Sequence, residues 1–335
     1  MKNNKMKDIV DPYGRRINYL RLSITDRCNL RCIYCSQGRN FRFLPHKEIL
    51  TYEELIRLIH IGMKLGVEKV RLTGGEPFVR KGFLSFLAEI MRLFPKIDLR
   101  ITTNGTLLTK DVILQLKSIG IKVINVSLDT FNREKFRRIT GMDLFANVVS
   151  AISELIKNNI KTKINVVALR SINHMEVREF VRFAFENPVD VRFIEFMDLS
   201  QGGKWQEQYF FSADEIFEII AREFSLTREL GSKDTRGPAR MYKILGGRGR
   251  IGIISPLSNH FCGSCNRFRI TADGRLRTCL FSEKDYRLKP ILRNDKFSQE
   301  TLYKIMNGAA KKKPLGYEII SRFKGNGRGM YAIGG

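Results

Sequence analysis

Six short β-branched runs alternate with amphipathic stretches between residues 20 and 196 of the 335-residue chain, and no other feature narrows its fold as far. The runs predict strands near Leu20–Ile24, Lys69–Thr73, Leu99–Thr102, Lys122–Leu128, Lys163–Leu169 and Val191–Phe196. The stretches between them predict helices, clearest at Tyr52–Leu65, Gly82–Leu93, Lys110–Ser118, Asn147–Lys157 and Met175–Phe185. Thr51, with Glu54 three residues on, has the capping-box pattern at the start of the first helix. Strands separated by helical segments build βα units on a parallel sheet. Six such units predict an α/β fold: an incomplete (β/α)6 version of the eight-unit TIM-type barrel, over residues 1–240. Residues 241–335 then form a C-terminal extension.

The chain has six cysteines and four histidines, and the cysteines fall into two trios. Cys28, Cys32 and Cys35 make a C-x3-C-x2-C spacing in RCNLRCIYC. Cys262 and Cys265 make CGSC, and Cys279 follows after thirteen residues. Inert core thiols would not cluster this way. Zinc is one alternative, but a structural zinc site closes its tetrahedron with four Cys or His ligands. Neither trio has a fourth Cys; His46 lies eleven residues beyond Cys35, and His260 only two before Cys262. Iron–sulfur clusters use the same thiolates, normally four of them. Three would leave one iron open to a further ligand.

Unusual residues sit where the strands end. The first trio follows strand one, TGGEP (Thr73–Pro77) follows strand two, and TTNG (Thr102–Gly105) follows strand three. Ser127 ends strand four, and Glu195-Phe196-Met197-Asp198 ends strand six. Parallel βα folds build active sites from these loops. Each segment has an ordinary reading as a turn or a core filler; together they mark one functional rim.

Charge adds a second constraint. The chain has 59 Lys and Arg against 34 Asp and Glu, a formal net charge of +25. This implies an acidic partner, whether nucleic acid, anionic membrane or a phosphorylated small molecule. With 43% hydrophobic residues the chain can bury a core, and no apolar run approaches the roughly 20 residues that cross a bilayer. The basic start lacks an apolar signal core, so a cytoplasmic location is expected. Arg21, Arg71, Lys163 and Arg192 interrupt apolar strands, where a charge needs an opposite charge or water. One such residue could pair with a carboxylate such as Glu76 or Glu195. Four are better explained by a bound anion. Arg267 and Arg269 would share a strand face beside the second trio, and residues from Met241 onward hold 19 basic against 6 acidic residues. A zinc-binding RNA module would also interleave Cys, Arg and Phe, but it leaves the strand-borne charges without a purpose.

The C-x3-C-x2-C trio, with Tyr34 before its last Cys, resembles the radical S-adenosylmethionine (SAM) superfamily. The set DPYGRRINYLRLSITDRCNLRCIYC, RLTGGEP, TTNG, INVSLDT, RFIEFMD, FCGSCNRFRIT, DGRLRTCL and terminal Gly334-Gly335 is similar, over nearly the whole chain, to one branch of it, the GTP 3′,8-cyclases of molybdenum cofactor biosynthesis. A peptide- or RNA-modifying member of the superfamily is the nearest alternative. The resemblance implies a radical SAM partial barrel and two 4Fe-4S clusters, on Cys28, Cys32 and Cys35 and on Cys262, Cys265 and Cys279. It implies SAM contacts from Tyr34, Gly75, Glu76, Ser127 and Met197, and GTP contacts from Arg21, Arg71, Thr102, Lys163, Arg192, Arg267 and Arg269. Arg267, Arg269 and the Gly334-Gly335 tail would act in catalysis. It further implies a reducing electron donor and a product consumed by cyclic pyranopterin monophosphate synthase. No nucleic acid or membrane partner is implied, and monomer and homodimer both stay open. One departure is Ser36-Gln37-Gly38-Arg39 after Cys35, where Met-Pro is typical.

Overall fold

The structure, a computed structural model, describes residues 8–35, 43–198, 204–229, 237–294 and 298–320. Gly334, Gly335, the basic Lys2–Lys7 segment and the Ser36–Arg39 departure lie outside the described residues. Among the described residues, twelve strands follow in chain order: β1 (Tyr19–Ser23), β2 (Lys69–Thr73), β3 (Asp98–Thr103), β4 (Val123–Ser127), β5 (Lys161–Ala168), β6 (Asp190–Glu195), β7 (Leu226–Glu229), β8 (Arg240–Ile244), β9 (Arg250–Ile254), β10 (Arg267–Ile270), β11 (Arg275–Arg277) and β12 (Tyr286–Arg287). The six expected strands are β1–β6; β2 has the expected bounds and the other five differ by one or two residues at their ends. The expected helices appear as Tyr52–Lys64, Phe83–Leu93, Lys110–Ile119, Phe145–Lys157 and Val177–Glu186. The Thr51–Glu54 capping box forms in both directions. A helix at Arg133–Thr140 was not expected; Asn132 caps it by accepting from Lys135 N.

The chain resolves into two compact units. Unit 1 comprises residues 1–29, 38–101 and 262–335, and unit 2 comprises 30–37 and 102–261. This differs from a boundary at 240, for a reason visible in the pairing. In unit 1 the strand order is β12-β11-β10-β1-β2-β3, with β10 parallel to β1. In unit 2 the order is β4-β5-β6-β9-β8-β7, with β9 parallel to β6. The sequence beyond β6 is therefore shared between the units. Within the units, β10 lies along the outer edge of β1 and β9 along that of β6.

Each unit has one apolar strand face under helices. In unit 1, Leu20, Leu22, Val70, Leu72, Leu99 and Ile101 are buried, together with Leu55, Leu58 and Ile59 of helix Tyr52–Lys64. The period of two along a strand sends the alternate residues, Tyr19, Arg21 and Ser23, to the other face. In unit 2, Val148, Ile152 and Leu155 of helix Phe145–Lys157 are buried with Ile164 and Val166 of β5. No single helix among the described residues is long and apolar enough to cross a membrane; one bent pair, Arg133–Thr140 with Phe145–Lys157, passes that test by length and composition.

Candidate active site

Unit 1 places cysteines at both ends of β1. Cys28 follows its C-terminal end. At its N-terminal end Tyr19 is in register with Arg267, two residues after Cys265. Antiparallel β11 runs back along β10 and delivers Cys279 to the same end. Between them, β1 covers roughly 13 Å at about 3.3 Å per residue.

The cross-strand register fills that interval with cations. Arg277, Arg269, Arg21, Arg71 and Arg100 stand side by side on β11, β10, β1, β2 and β3. The neighbouring row is Arg267, Tyr19, Lys69 and Asp98. Asp98 pairs with Arg100 at 2.7 Å. Arg71 and Lys69 both face the Tyr19 ring, at 5.8 and 5.4 Å from its centre. The electrostatics follow. Burial, then Arg269 and other like charges, hold the Arg21 guanidinium well below its usual range. Burial, then Arg267, bring Arg269 down to about 10. Burial pushes the Tyr19 phenol up, but Arg71, Arg21, Arg267 and Arg100 outweigh it and bring it to about 7. Like charges directly opposite one another repel, so this surface is built for an anion.

The second trio has the properties of cluster ligands. Burial pushes the Cys265 thiol up, but Arg267 and Lys313 outweigh it and bring it to about 5, a thiolate at neutral pH. A Cβ on Gly316 would stand 2.9 Å from Cys262 Sγ and 3.3 Å from Cys279 Sγ. Both sulfurs thus face a small space that only a glycine leaves open. Among the described residues no three His, Cys, Asp or Glu side chains gather tightly enough for one ion. Thiolates that bind different irons of a cluster stand further apart than the ligands of one zinc. None of the six cysteines is in a disulfide, and His260 uses its ring nitrogen on the Pro256 carbonyl. The trio fits an iron–sulfur cluster.

TGGEP is locked to the segment that leads into Cys28. Gly75 N donates to Thr25 O at 2.7 Å, and Glu76 N donates to Arg27 O at 2.7 Å. A Cβ on Gly74 would meet Thr25 O at 2.3 Å, and one on Gly75 would meet Arg27 O at 2.1 Å. The glycines are therefore required by backbone packing on the cysteine loop, a reason different from close approach of a ligand. Glu76 is fully buried and accepts from Phe78 N.

Unit 2 holds the other expected residues. Cys35 N donates to Cys32 O at 3.0 Å, closing a turn. Between them, Tyr34 donates its hydroxyl to Asp129 Oδ2 at 2.6 Å, and Asp129 Oδ1 accepts from Val167 N at 2.8 Å. Burial raises the Asp129 carboxyl to about 6 against both hydrogen bonds. Burial and Asp129 hold the Tyr34 phenol well above its usual range. The turn carrying two cysteines is thus tied to the segment after β4, two residues past half-buried Ser127. Thr102 and Met197 are also half-buried, at the ends of β3 and β6.

Two expectations about the strand charges change. Lys163 pairs with Asp190 at 3.0 Å, and Arg250 grips the same carboxylate at 2.8 Å. Arg192 donates to Asn125 Oδ1. Glu195, a suggested partner for them, instead accepts from Ala213 N and from Leu257 and Ser258 N. Its negative charge is used on the start of helix Ala213–Ala221 and the 257–258 loop.

Sequence reasoning missed Tyr19, Asp129, Arg15, Lys313 and Gly316. Tyr19 reads as a strand aromatic, and Lys313 ends a Lys-Lys-Lys run that reads as solvated surface.

Two family models match the chain: the radical SAM superfamily over residues 22–184, and molybdenum cofactor synthesis C over 189–319. The join at 184–189 lies well before 240. The chain is 39% identical over 332 residues to a "GTP 3′,8-cyclase" of Alkaliphilus oremlandii, covering 98% of this chain and 100% of the relative. It is 42% identical over 292 residues to one of Thermodesulfovibrio yellowstonii, covering 87% and 90%. "Molybdenum cofactor biosynthesis protein 1" of Drosophila melanogaster is 38% identical over 312 residues, covering 92% of this chain and 54% of that protein. Among solved structures, Streptococcus suis SuiB shares the fold with a TM-score of 0.62 at 15% identity, covering 94% of this chain and 77% of that one. The chain belongs to the GTP 3′,8-cyclase family of the radical SAM superfamily.

Proposed function

We propose that this chain converts GTP to (8S)-3′,8-cyclo-7,8-dihydroguanosine 5′-triphosphate, the first step of molybdenum cofactor biosynthesis. The observation that carries this reading is the cationic strip of unit 1 with cluster-type cysteines at each end of β1. Such a strip suits a substrate with a metal-binding base and a polyphosphate. Arg21, Arg71, Arg267 and Arg269 in unit 1 hold GTP, and arginine forks match phosphate oxygens two at a time. From unit 2, Thr102, Lys163 and Arg192 contribute to GTP binding. Lys163 does so while sharing Asp190 with Arg250, so its charge is partly spent.

Cys28, Cys32 and Cys35 hold one 4Fe-4S cluster, and Cys262, Cys265 and Cys279 the second. Tyr34, Gly75, Glu76, Ser127 and Met197 hold SAM. When bound, the reduced first cluster and SAM supply the 5′-deoxyadenosyl radical, the reactivity that no side chain has. The protein's share is aim: cations that fix both ends of GTP leave the ribose little freedom. Arg267, half-buried, and Arg269, buried, act at the guanine end and assist the closing reduction together with the Gly334-Gly335 tail.

Electrons come from a reducing donor, and the product passes to a cyclic pyranopterin monophosphate synthase. The chain acts in the cytoplasm as a monomer or homodimer, without nucleic acid or membrane; its unbridged cysteines suit a reducing compartment. Anaerobic incubation of reduced protein with SAM and GTP, followed by chromatographic separation of the nucleotides and nuclear magnetic resonance of the new species, tests the reading. The expected product is a 3′,8-cyclised isomer of GTP, formed with 5′-deoxyadenosine. Unchanged GTP would overturn the assignment.

A further inference from the structure

Two buried cations outside the arginine row reach the second trio. Arg15 has an internal counter-ion, since its Nε lies 2.5 Å from Asp11 Oδ2. It spends its remaining donors on the Cys262 carbonyl at 2.6 Å, the Pro314 carbonyl at 3.1 Å and the Lys313 carbonyl at 3.4 Å. Lys313 is only 2% exposed. Its Nζ donates to the Arg267 carbonyl at 3.0 Å and to the Thr278 carbonyl. Thr278 precedes Cys279, and Arg267 follows Cys265 by two residues. Every cysteine of the trio is thus held within two residues by one of these cations.

They differ in charge balance. Arg15 is neutralised by Asp11, whereas the oxygens that Lys313 touches are carbonyls. Burial works against the charge on its ammonium, as do Arg15 and Arg267, and Cys265 and Cys279 favour it. An ammonium removed from water is costly unless an anion compensates it, and a thiolate-held cluster is such an anion. Nearby charge and hydrogen bonding set cluster potentials.

We propose that Lys313 is a positioning residue for the second cluster: it fixes Cys265 and Cys279 through the Arg267 and Thr278 carbonyls and supplies a buried positive charge that raises the cluster's reduction potential. This rests on the reading that the second trio carries a cluster. If that reading fails, wild-type protein holds no more than about four irons, a result visible before any variant is made.

The test uses anaerobically reconstituted full-length Lys313→Met, Lys313→Arg and the double variant Asp11→Asn/Arg15→Gln, with circular dichroism as the check on folding. Iron content and the midpoint potentials of both clusters, followed by electron paramagnetic resonance, are the readouts. Lys313→Met is expected to shift the second cluster to a more negative potential, or to lose about half the iron, with the first cluster unmoved as internal reference. Lys313→Arg is expected to restore both. Arg15→Gln, combined with Asp11→Asn so that an ion pair of no net charge is removed, should reduce second-cluster iron and leave the potential of what remains unchanged. Wild-type iron at wild-type potential in Lys313→Met overturns the proposal. So does a Lys313→Arg as defective as Lys313→Met, or an Asp11→Asn/Arg15→Gln double variant that moves the potential as far.

Discussion

The strand-borne cations of the two units look alike in sequence and behave differently in the fold. In unit 2, Lys163 finds Asp190 on the adjacent strand and Arg192 finds Asn125. In unit 1, register sets Arg21 beside Arg269 on one side and Arg71 on the other. In the first arrangement a carboxylate offsets Lys163 and a neutral amide holds Arg192, so part of their binding capacity is already spent within the fold. The second concentrates like charge, which disfavours the empty fold and favours an anionic ligand. A cation in an apolar strand therefore signals binding most strongly where its cross-strand neighbours are cations as well.

The contrast can be broken at several points, the largest first. Asp190→Asn leaves Lys163 and Arg250 without their shared carboxylate. Loss of one partner from such a buried network costs about 3 kcal/mol, read as a lowered denaturant midpoint. Arg21→Met should do the opposite: stability of the ligand-free protein is unchanged or raised, while GTP binding weakens about 30-fold, equivalent to about 2 kcal/mol, by calorimetry. If Arg21→Met destabilises the fold as Asp190→Asn does, the row is structural and the contrast fails.

The smallest effect is at Tyr19, whose phenol is brought to about 7 from an ordinary 10. A depressed folded-state value favours the ionised form in the fold. Its stabilisation is fully present above about pH 10 and is lost as pH falls through about 7. The stability gap between wild type and Tyr19→Phe should widen between those limits in ligand-free protein. Ultraviolet tyrosinate absorbance should show one early-titrating tyrosine that the variant lacks. A flat gap would show that the arginines are screened from the ring.

Most of the strand–helix order was legible, because period-two and period-3.6 patterns are local properties of the chain. The Cys trios and TGGEP were legible because their spacing is local too. Lateral placement was not. That β10 lies against β1 is a pairing across almost 250 residues, and the five-arginine row exists only through it. The division into compact units was not legible for the same reason, since β9 and β10 go to opposite units. Lys313 was hidden because a Lys-Lys-Lys run looks solvated, and one carbonyl contact cannot be read from composition. Gly75 stood out in the sequence, and its strict need for hydrogen as a side chain comes from the Arg27 carbonyl.

Elemental analysis of the anaerobically isolated protein tests the account most directly, because both trios are read as cluster ligands. The account predicts about eight irons and as many acid-labile sulfides per chain, with about half of each lost when Cys262, Cys265 and Cys279 are all replaced by alanine. Two zinc ions per chain without labile sulfide would contradict it.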